Sequence, residues 1–402
     1  MDSYDAVVVG GGPVGCRTAS LIADAGFSVC ILEEHDIIGE PIQCAGIVSP
    51  RVLEIAPYRS CLQNEIFGAE IYSPSGRVMK IEADSPKALI INRSIFDKEL
   101  AKEAKRAGAE IRCGTKAIGF RRENGRVFVN SVTADAGIEV SAKLIIGSDG
   151  VQGGVAKHFS LPRPPKFLIG MVAEAADIEM EREIVKLYTG SAIAPGFFAW
   201  VIPTENHRAR IGLCVSKKKK KPVNVRACFY SLCRKGGLKS IKLNPDKIEK
   251  PMPGAIPVGP VKRTVADNVM LVGDAAGHVK PTSGGGIYIG LRCAEHCASA
   301  AIKSLKEHSS RSLSSENLSL YENLWRTDIG GELNRGWVIH RAYSSLNDGQ
   351  IEQLFDIFNK PNVKKIIEEK GDIDFASNLS RPLLKEAPAL MKFAGPFLKS
   401  LL

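Results

Sequence analysis

Hydrophobic positions along this chain change period several times, and each change marks an element. Tyr4 to Val9 is a short apolar run, the pattern of a strand buried on both faces. Pro13 to Ala25 then carries apolar residues at helical spacing, and Phe27 to Leu32 is a second apolar strand. Together they predict a β-α-β unit with glycines at its first joint. Helical spacing returns at Ser94 to Ala107, followed by short strands near Ala109 to Cys113, Val127 to Ser131, Ile138 to Val140 and Lys143 to Ile146. Ile66 to Glu82 predicts a hairpin turning at Ser73 to Gly76, and Phe167 to Val215 alternates as several longer strands, so a second, antiparallel sheet is expected. Asn268 to Val272 reads as a strand feeding a glycine-rich turn and a long helix from about Gly286 to Ser304. The remainder is mostly helical, entered through a serine-rich connection at Ser309 to Ser319.

Composition narrows the class. With 402 residues, 44% of them apolar and 24% charged, the chain can bury a large core without disulfides or structural metal. No apolar stretch reaches the roughly eighteen residues of a membrane-spanning helix, and the opening MDSYDAVVVGGG has no basic-then-apolar leader, so a cytoplasmic protein is expected. Lysine and arginine number 54 against 44 aspartates and glutamates, a net charge of +10 that favours an anionic partner. No recognition module accompanies that charge, so nucleic-acid binding is not expected. The ten cysteines never form C-x-x-C, which speaks for free thiols and against zinc or iron–sulfur sites.

Chemistry enters at Gly10-Gly-Gly12-Pro13-Val-Gly15, a G-x-G-x-x-G that follows a strand and opens a helix. Gly10 makes the tight turn, Gly12 admits a pyrophosphate to the backbone, and Gly15 lets helix and strand pack, while the helix N-terminus offers its N–H groups to the phosphates. Glu33, roughly eighteen residues past Gly15, ends the next strand and can accept hydrogen bonds from an adenosine ribose, which argues against a 2′-phosphate there. A dinucleotide is therefore expected.

Later elements carry a resemblance that selects the dinucleotide. Arg93 opens an N-R-x-x-F-D-x-x-L-A segment, Asp149 lies in Gly147-Ser-Asp-Gly150 after a strand, and Gly273-Asp274-Ala-Ala-Gly277 follows another. This set resembles FAD-dependent enzymes of the para-hydroxybenzoate hydroxylase fold, which implies that Asp274 holds the flavin ribityl chain and that Arg93 lies alongside the FAD. Gly284-Gly285-Gly286-Ile287 enters the long helix, and bare N–H groups at the positive end of its dipole suit the charge of a reduced flavin.

Within that fold the chain resembles the geranylgeranyl reductase family across nearly its whole length, most closely the archaeal enzymes that saturate the isoprenoid chains of membrane lipids. The carrying residues are Pro41-Ile-Gln-Cys44-Ala45-Gly46, the run from Gly273 to Gly286, and Phe198-Ala-Trp200-Val-Ile202-Pro203 followed by Gly212. The last resembles the family's Y-x-W-x-F-P…G-x-G lipid-binding signature, departing from it at Phe198, Ile202 and Cys214. The resemblance implies an FAD-dependent reductase that saturates the C=C bonds of geranylgeranyl ether lipids, with hydride from FAD N5 and a proton from elsewhere. Expected cofactor contacts are Gly10, Gly12, Pro13, Gly15, Glu33, Glu34, Cys44, Ala45, Arg93, Asp149, Gly273, Asp274, Gly284, Gly285, Gly286 and Ile287. Phe198, Trp200, Ile202, Pro203 and Gly212 are the expected lipid contacts, although ordinary sheet core explains the same residues. Cys44 reads as gate, proton donor, redox thiol or inert buried cysteine, and His278 and Lys280 as proton sources or as structural neighbours.

The fold class expected is thus α/β, α+β overall. A Rossmann-like FAD-binding domain is assembled from 1–60, 88–165 and 250–308, an inserted antiparallel-sheet domain forms the lipid pocket from 61–87 and 166–249, and 309–402 is a helical C-terminal region. No second G-x-G-x-x-G is present, so the reductant is external: NAD(P)H, reduced ferredoxin as a docked protein, or a deazaflavin. Lys217 to Lys221 reads as a solvated loop or a docking point for anionic lipid, and the tail from Ala387 to Leu402 as packed on the domain or lying on the inner face of the cell membrane. Rival readings are an aromatic monooxygenase of the same fold and a non-catalytic prenyl-lipid carrier.

Overall fold

The computed structural model describes residues 2–216, 223–234, 238, 240–241, 243–308 and 312–394. Lys217 to Lys221 and the tail beyond 394 lie outside the described residues.

An eight-stranded sheet carries the nucleotide half. Its order is Val265–Ala266, Val269–Leu271, Gly137–Gly147, Asp2–Val9, Val29–Leu32 and Glu110–Arg112, with the hairpin Lys116–Glu123 and Arg126–Val132 paired onto Gly137–Gly147. Asp2–Val9 is central and parallel to both neighbours, Ala6 meeting Leu144 on one side and Val29 on the other. Its apolar run is buried on both faces because each has a cover. Ala6 and Val8 pack with helices Pro13–Asp24, Arg93–Arg106 and Ile287–Glu307, while Val7 and Val9 pack with Val127, Val129 and the short helix Gly154–His158. Burying each of these valines contributes about 1.5–3 kcal/mol.

The second large sheet has seven strands in the order Met252–Val258, Lys166–Ala175, Ala209–Ser216, Phe198–Pro203, Ile184–Thr189, Gly68–Tyr72 and Val78–Glu82. It is antiparallel except where Ile184–Thr189 runs parallel to Gly68–Tyr72. The hairpin expected near Ile66 begins at Gly68, with Tyr72 opposite Val78. Leu62–Ile66 belongs instead to a three-stranded sheet with Ile47–Val48 and Ala88–Ile91. A boundary drawn at 250 also divides what hydrogen bonds join, because Met252–Val258 pairs with Lys166–Ala175 from Lys166·Val258 to Val172·Met252.

Register sorts this sheet into two faces. Met171, Ala173, Ala199, Val201, Ile211 and Leu213 lie under helix Val225–Cys233, which contributes Phe229, Leu232 and Cys233. The opposite face bears Leu168, Cys214, Phe198, Trp200, Ile202, Ile256 and Val258 and turns toward the nucleotide half and the C-terminal helices. Those helices follow one another from Ser319: Gly331–Ser345 brings Trp337 to the Leu168 and Val258 end, and Asp348–Phe358 seats Ile351 and Phe355 on Met79.

Candidate functional site

The glycine joint is a cradle that only glycine permits. Gly10 has φ +103°, and a Cβ there would strike the Ser148 carbonyl oxygen, while a Cβ on Gly15 would strike the Gly10 carbonyl oxygen. Over Gly12 the space is open, with nothing within 4 Å of a Cβ. Helix Pro13–Asp24 starts there with proline in its first turn and no side-chain cap, so its first N–H groups face that space. Glu33, buried at the strand end, accepts from the Gly11 N–H at 2.7 Å through Oε2 and from the His35 N–H at 3.0 Å through Oε1. Oε2 retains a lone pair for a further donor.

A second group converges from far along the chain. Gly273–Ala276 makes a tight turn, and a Cβ on Gly273 would lie 3.2 Å from Val14, so the turn rests on the first residues of the glycine-joint helix. Burial pushes the Asp274 carboxyl up to about 6, against the pull of the Arg93 guanidinium. Arg93 begins helix Arg93–Arg106, holds Asp97 through two bonds of 3.0 and 2.8 Å, and lies beside the Cys44 thiol. Gly284, at φ +78°, donates its N–H to the Lys280 carbonyl at 2.8 Å, and a Cβ on Gly286 would lie 3.1 Å from Asp274 Oδ1. The uncapped helix Ile287–Glu307 therefore begins against Asp274, with Ile287 itself in the core. Donors at two helix ends, an open cradle and carboxylates at Glu33 and Asp274 fit an elongated dinucleotide.

Several expected roles change. His278 is fully buried behind the Gly273 turn, where Nδ1 accepts from the Gly273 N–H at 3.3 Å, Nε2 has no partner, and the ring lies 4.8 Å from that of Trp325. Burial pushes it down to about 3, so it is a neutral core residue and not a proton source. Lys280 is likewise committed elsewhere: its Nζ donates to Asp374 Oδ1 at 2.7 Å and to the Ile373 carbonyl at 2.8 Å, inside the fold. Glu34 turns outward to Lys116 at 2.7 Å. Asp149 accepts from the Val155 N–H at 2.9 Å and so fixes the start of helix Gly154–His158, leaving a buried Oδ1 without a partner. Pro203 alternates onto the face opposite Trp200 and Ile202, and its carbonyl accepts from Asn64.

Phe198, Trp200, Ile202 and Gly212 do share a face, and Gly212 explains the placement of Trp200. The two are cross-strand partners, and a Cβ on Gly212 would lie 2.5–2.8 Å from three indole ring atoms, so the ring lies flat on the glycine. The indole N–H is buried without a partner. Ala45 and Ile47 pack with Trp200 and Ile202, which places the Cys44–Gly46 loop on this apolar face, and Ile256 reaches Gly284, 3.0 Å from where a Cβ would be.

Sequence reasoning missed Arg210. It sits 3% exposed in the wholly buried strand Ala209–Ser216, on the Trp200 face. Its Nη1 donates to the carbonyls of Ala45 at 3.0 Å and Ile91 at 2.9 Å, and its Nε lies 3.2 Å from Glu174. Gly46, at φ +69°, leaves the space that this guanidinium fills. The signal was there to read: one arginine within an apolar strand asks for buried acceptors.

Comparison with known proteins follows the same lines. A family described as an FAD binding domain matches residues 3–317. Digeranylgeranylglycerophospholipid reductase of Methanocaldococcus jannaschii is 30% identical over 402 residues, covering 98% of this chain and 97% of that protein. A second protein of that name from Methanothermobacter thermautotrophicus is also 30% identical, covering 97% and 98%. Among solved structures, a geranylgeranyl bacteriochlorophyll reductase-like protein from Thermoplasma acidophilum superposes with a TM-score of 0.85 at 24% identity over 100% of both chains. The p-nitrophenol 4-monooxygenase of Pseudomonas putida gives 0.70 at 18%, covering 98% and 100%. At those identities the two structures speak for fold alone.

Proposed function

This chain belongs to the FAD binding domain family, alongside the digeranylgeranylglycerophospholipid reductases, and from that premise we propose that it saturates the C=C bonds of geranylgeranyl chains in archaeal-type ether lipids. The observation that carries the reading is the meeting of cradle and apolar face: Ile256 against Gly284 on one side, Ala45 against Trp200 and Ile202 on the other.

Bound and reduced, FAD supplies hydride to one carbon of an alkene that has no carbonyl to take up charge. The rest is the chain's work. Gly12 and the N-terminus of helix Pro13–Asp24 would take the pyrophosphate, Glu33 the adenosine ribose and Asp274 the ribityl chain. Phe198, Trp200, Ile202 and Ile256 give a hydrocarbon a surface from which water is shed, at about 25 cal/mol per Å² removed from water. Arg210 holds the Ala45 carbonyl and so sets the loop that carries Cys44. With His278 and Lys280 committed to the core, Cys44 is the side chain we assign to hold the proton that the second carbon receives, its Sγ accepting from the Gly46 N–H at 3.4 Å.

Among the described residues no helix is long and apolar enough to cross a membrane. The net charge of +10 supports work at an anionic lipid surface, and the single G-x-G-x-x-G supports an external electron donor. The test is anaerobic: reduce the FAD-loaded protein with dithionite, add geranylgeranylated glycerol phosphate, and follow the lipid by mass spectrometry. Hydrogens gained in pairs support the reading. A persistently reduced flavin with unchanged lipid overturns it, and oxygen uptake coupled to hydroxylation of a phenol would put a monooxygenase in its place.

A further inference from the structure

The strand pair at one end of the apolar face runs out into basic chain on both sides. Lys166–Ala175 begins where Met252–Val258 ends, Lys166 opposite Val258, and there Leu168 and Val258 pack with Phe198 and Trp337. Arg163 precedes Lys166 by three residues, and Lys262 and Arg263 follow Val258 by four and five, at most about 11 and 18 Å of extended chain. Gly259 joins these stretches to the face, because a Cβ on it would lie 2.6 Å from Pro165 and 3.2 Å from Trp337.

Contacts gather further cations beside them. Arg263 donates to the Ser160 carbonyl at 3.3 Å, and the guanidinium of Arg122 lies 4.6 Å from the centre of the neighbouring Phe159 ring, with Lys157 at the end of helix Gly154–His158. Arg163 donates to the Val151 carbonyl at 3.0 Å and Arg122 to that of Asp267 at 2.5 Å. Arg122, Lys157, Arg163, Lys262 and Arg263 are all exposed, and among the described residues none has a carboxylate within ion-pair distance. Asp267 spends its carboxylate on the Ser315 N–H at 2.7 Å. Backbone carbonyls thus aim three arginines without neutralising them, and the patch keeps its charge for an outside anion.

We propose that this patch seats the protein on the anionic surface of a lipid bilayer, with the Leu168 and Val258 end of the apolar face turned toward the membrane. The inference rests on the prenyl-lipid reading and deepens it. A substrate whose chains lie in a bilayer has to leave it, and the cations around one end of the apolar face set where that transfer takes place. Charge bordering an apolar strand end matches a head-group layer over hydrocarbon, whereas an acidic protein would need the charge alone.

The test uses the full-length, FAD-loaded protein and sedimentation with vesicles, either of phosphatidylcholine alone or of equal parts phosphatidylcholine and phosphatidylglycerol. The wild type should bind the mixed vesicles, leave the neutral ones and be released by salt. Each cation near such a surface is worth about fivefold in affinity, so the triple variant Arg163→Gln, Lys262→Gln, Arg263→Gln should bind about 10²-fold more weakly. Arg163→Lys with Arg263→Lys keeps the charge and should bind as the wild type does. Lys360→Gln, Lys365→Gln, Lys370→Gln makes the same change in net charge around helix Pro361–Lys370, which lies against Val78–Glu82 at the opposite edge of the sheet, and should stay within about threefold of wild type. A control triple that loses as much as the patch triple overturns the proposal, as does a patch triple that binds like wild type. A wild type that ignores the mixed vesicles also overturns it and leaves the patch to an acidic protein. Failure to reduce any lipid would count against the reductase reading alone, because vesicle binding is read without turnover.

Discussion

Lys280 and Asp374 form a buried pair whose removal has an asymmetric outcome. Asp374 is fully buried and Lys280 nearly so, with 2.7 Å between their charged atoms. Asp374 has a second cation, Arg51 at 3.2 Å, and Arg51 in turn has Asp372 at 2.7 Å. Asp374→Ala strands the Lys280 ammonium with only the Ile373 carbonyl, a loss of about 3–5 kcal/mol for breaking a buried pair from one side. Lys280→Met leaves Asp374 its Arg51 partner, so a smaller loss of about 1.5–3 kcal/mol is expected, the scale of one charged hydrogen bond. The double variant Lys280→Met with Asp374→Leu leaves no orphaned charge and should return to within about 1–2 kcal/mol of wild type. Urea midpoints of the FAD-free proteins at equal slope give the order. A Lys280→Met loss as large as that of Asp374→Ala, or a double variant worse than either single, would refute this account.

Three further expectations concern the site. With Asp274 raised from its ordinary 3.8 to about 6, its contribution to FAD-free stability is fully present below about pH 4 and lost as pH rises through 6, an upper figure of about 3 kcal/mol. Asp274→Asn should therefore gain thermal midpoint over wild type on going from about pH 4 to about pH 7.5, and a constant gap would refute the assignment. Gly212→Val drives a branched side chain into the Trp200 indole, with an overpacking cost of about 1–3 kcal/mol. It should raise KM for the lipid while FAD affinity stays within about twofold, and equal losses of both would place Gly212 elsewhere. Cys44→Ala should lower turnover by about 10²-fold or more with FAD still bound, and unchanged turnover would remove Cys44 from the proton path.

What the sequence revealed depended on whether a role is local. The glycine joint was legible because its job is set within a few residues: a positive φ at Gly10 and close packing at Gly15 are backbone requirements that no other residue meets. The face of Phe198, Trp200 and Ile202 followed from strand alternation, and the same period puts Pro203 on the opposite, equally buried face. His278 and Lys280 misled because nearness in sequence to the glycine run says nothing about direction. His278 turns into the ring of Trp325, forty-seven residues on, and Lys280 toward a carboxylate ninety-four residues on. Arg210 escaped because it joins a strand to partners that only the tertiary fold brings near.

The ion pair between Lys280 and Asp374 also sets an order of events in time. Asp374 leaves the ribosome 94 residues after Lys280, about 5 to 20 seconds later at ordinary rates of synthesis. Through that interval the glycine run hangs on a lysine with no counter-charge, although the whole eight-stranded sheet has been translated. A chain that ends before residue 374 therefore lacks the carboxylate with which this lysine pairs in the fold.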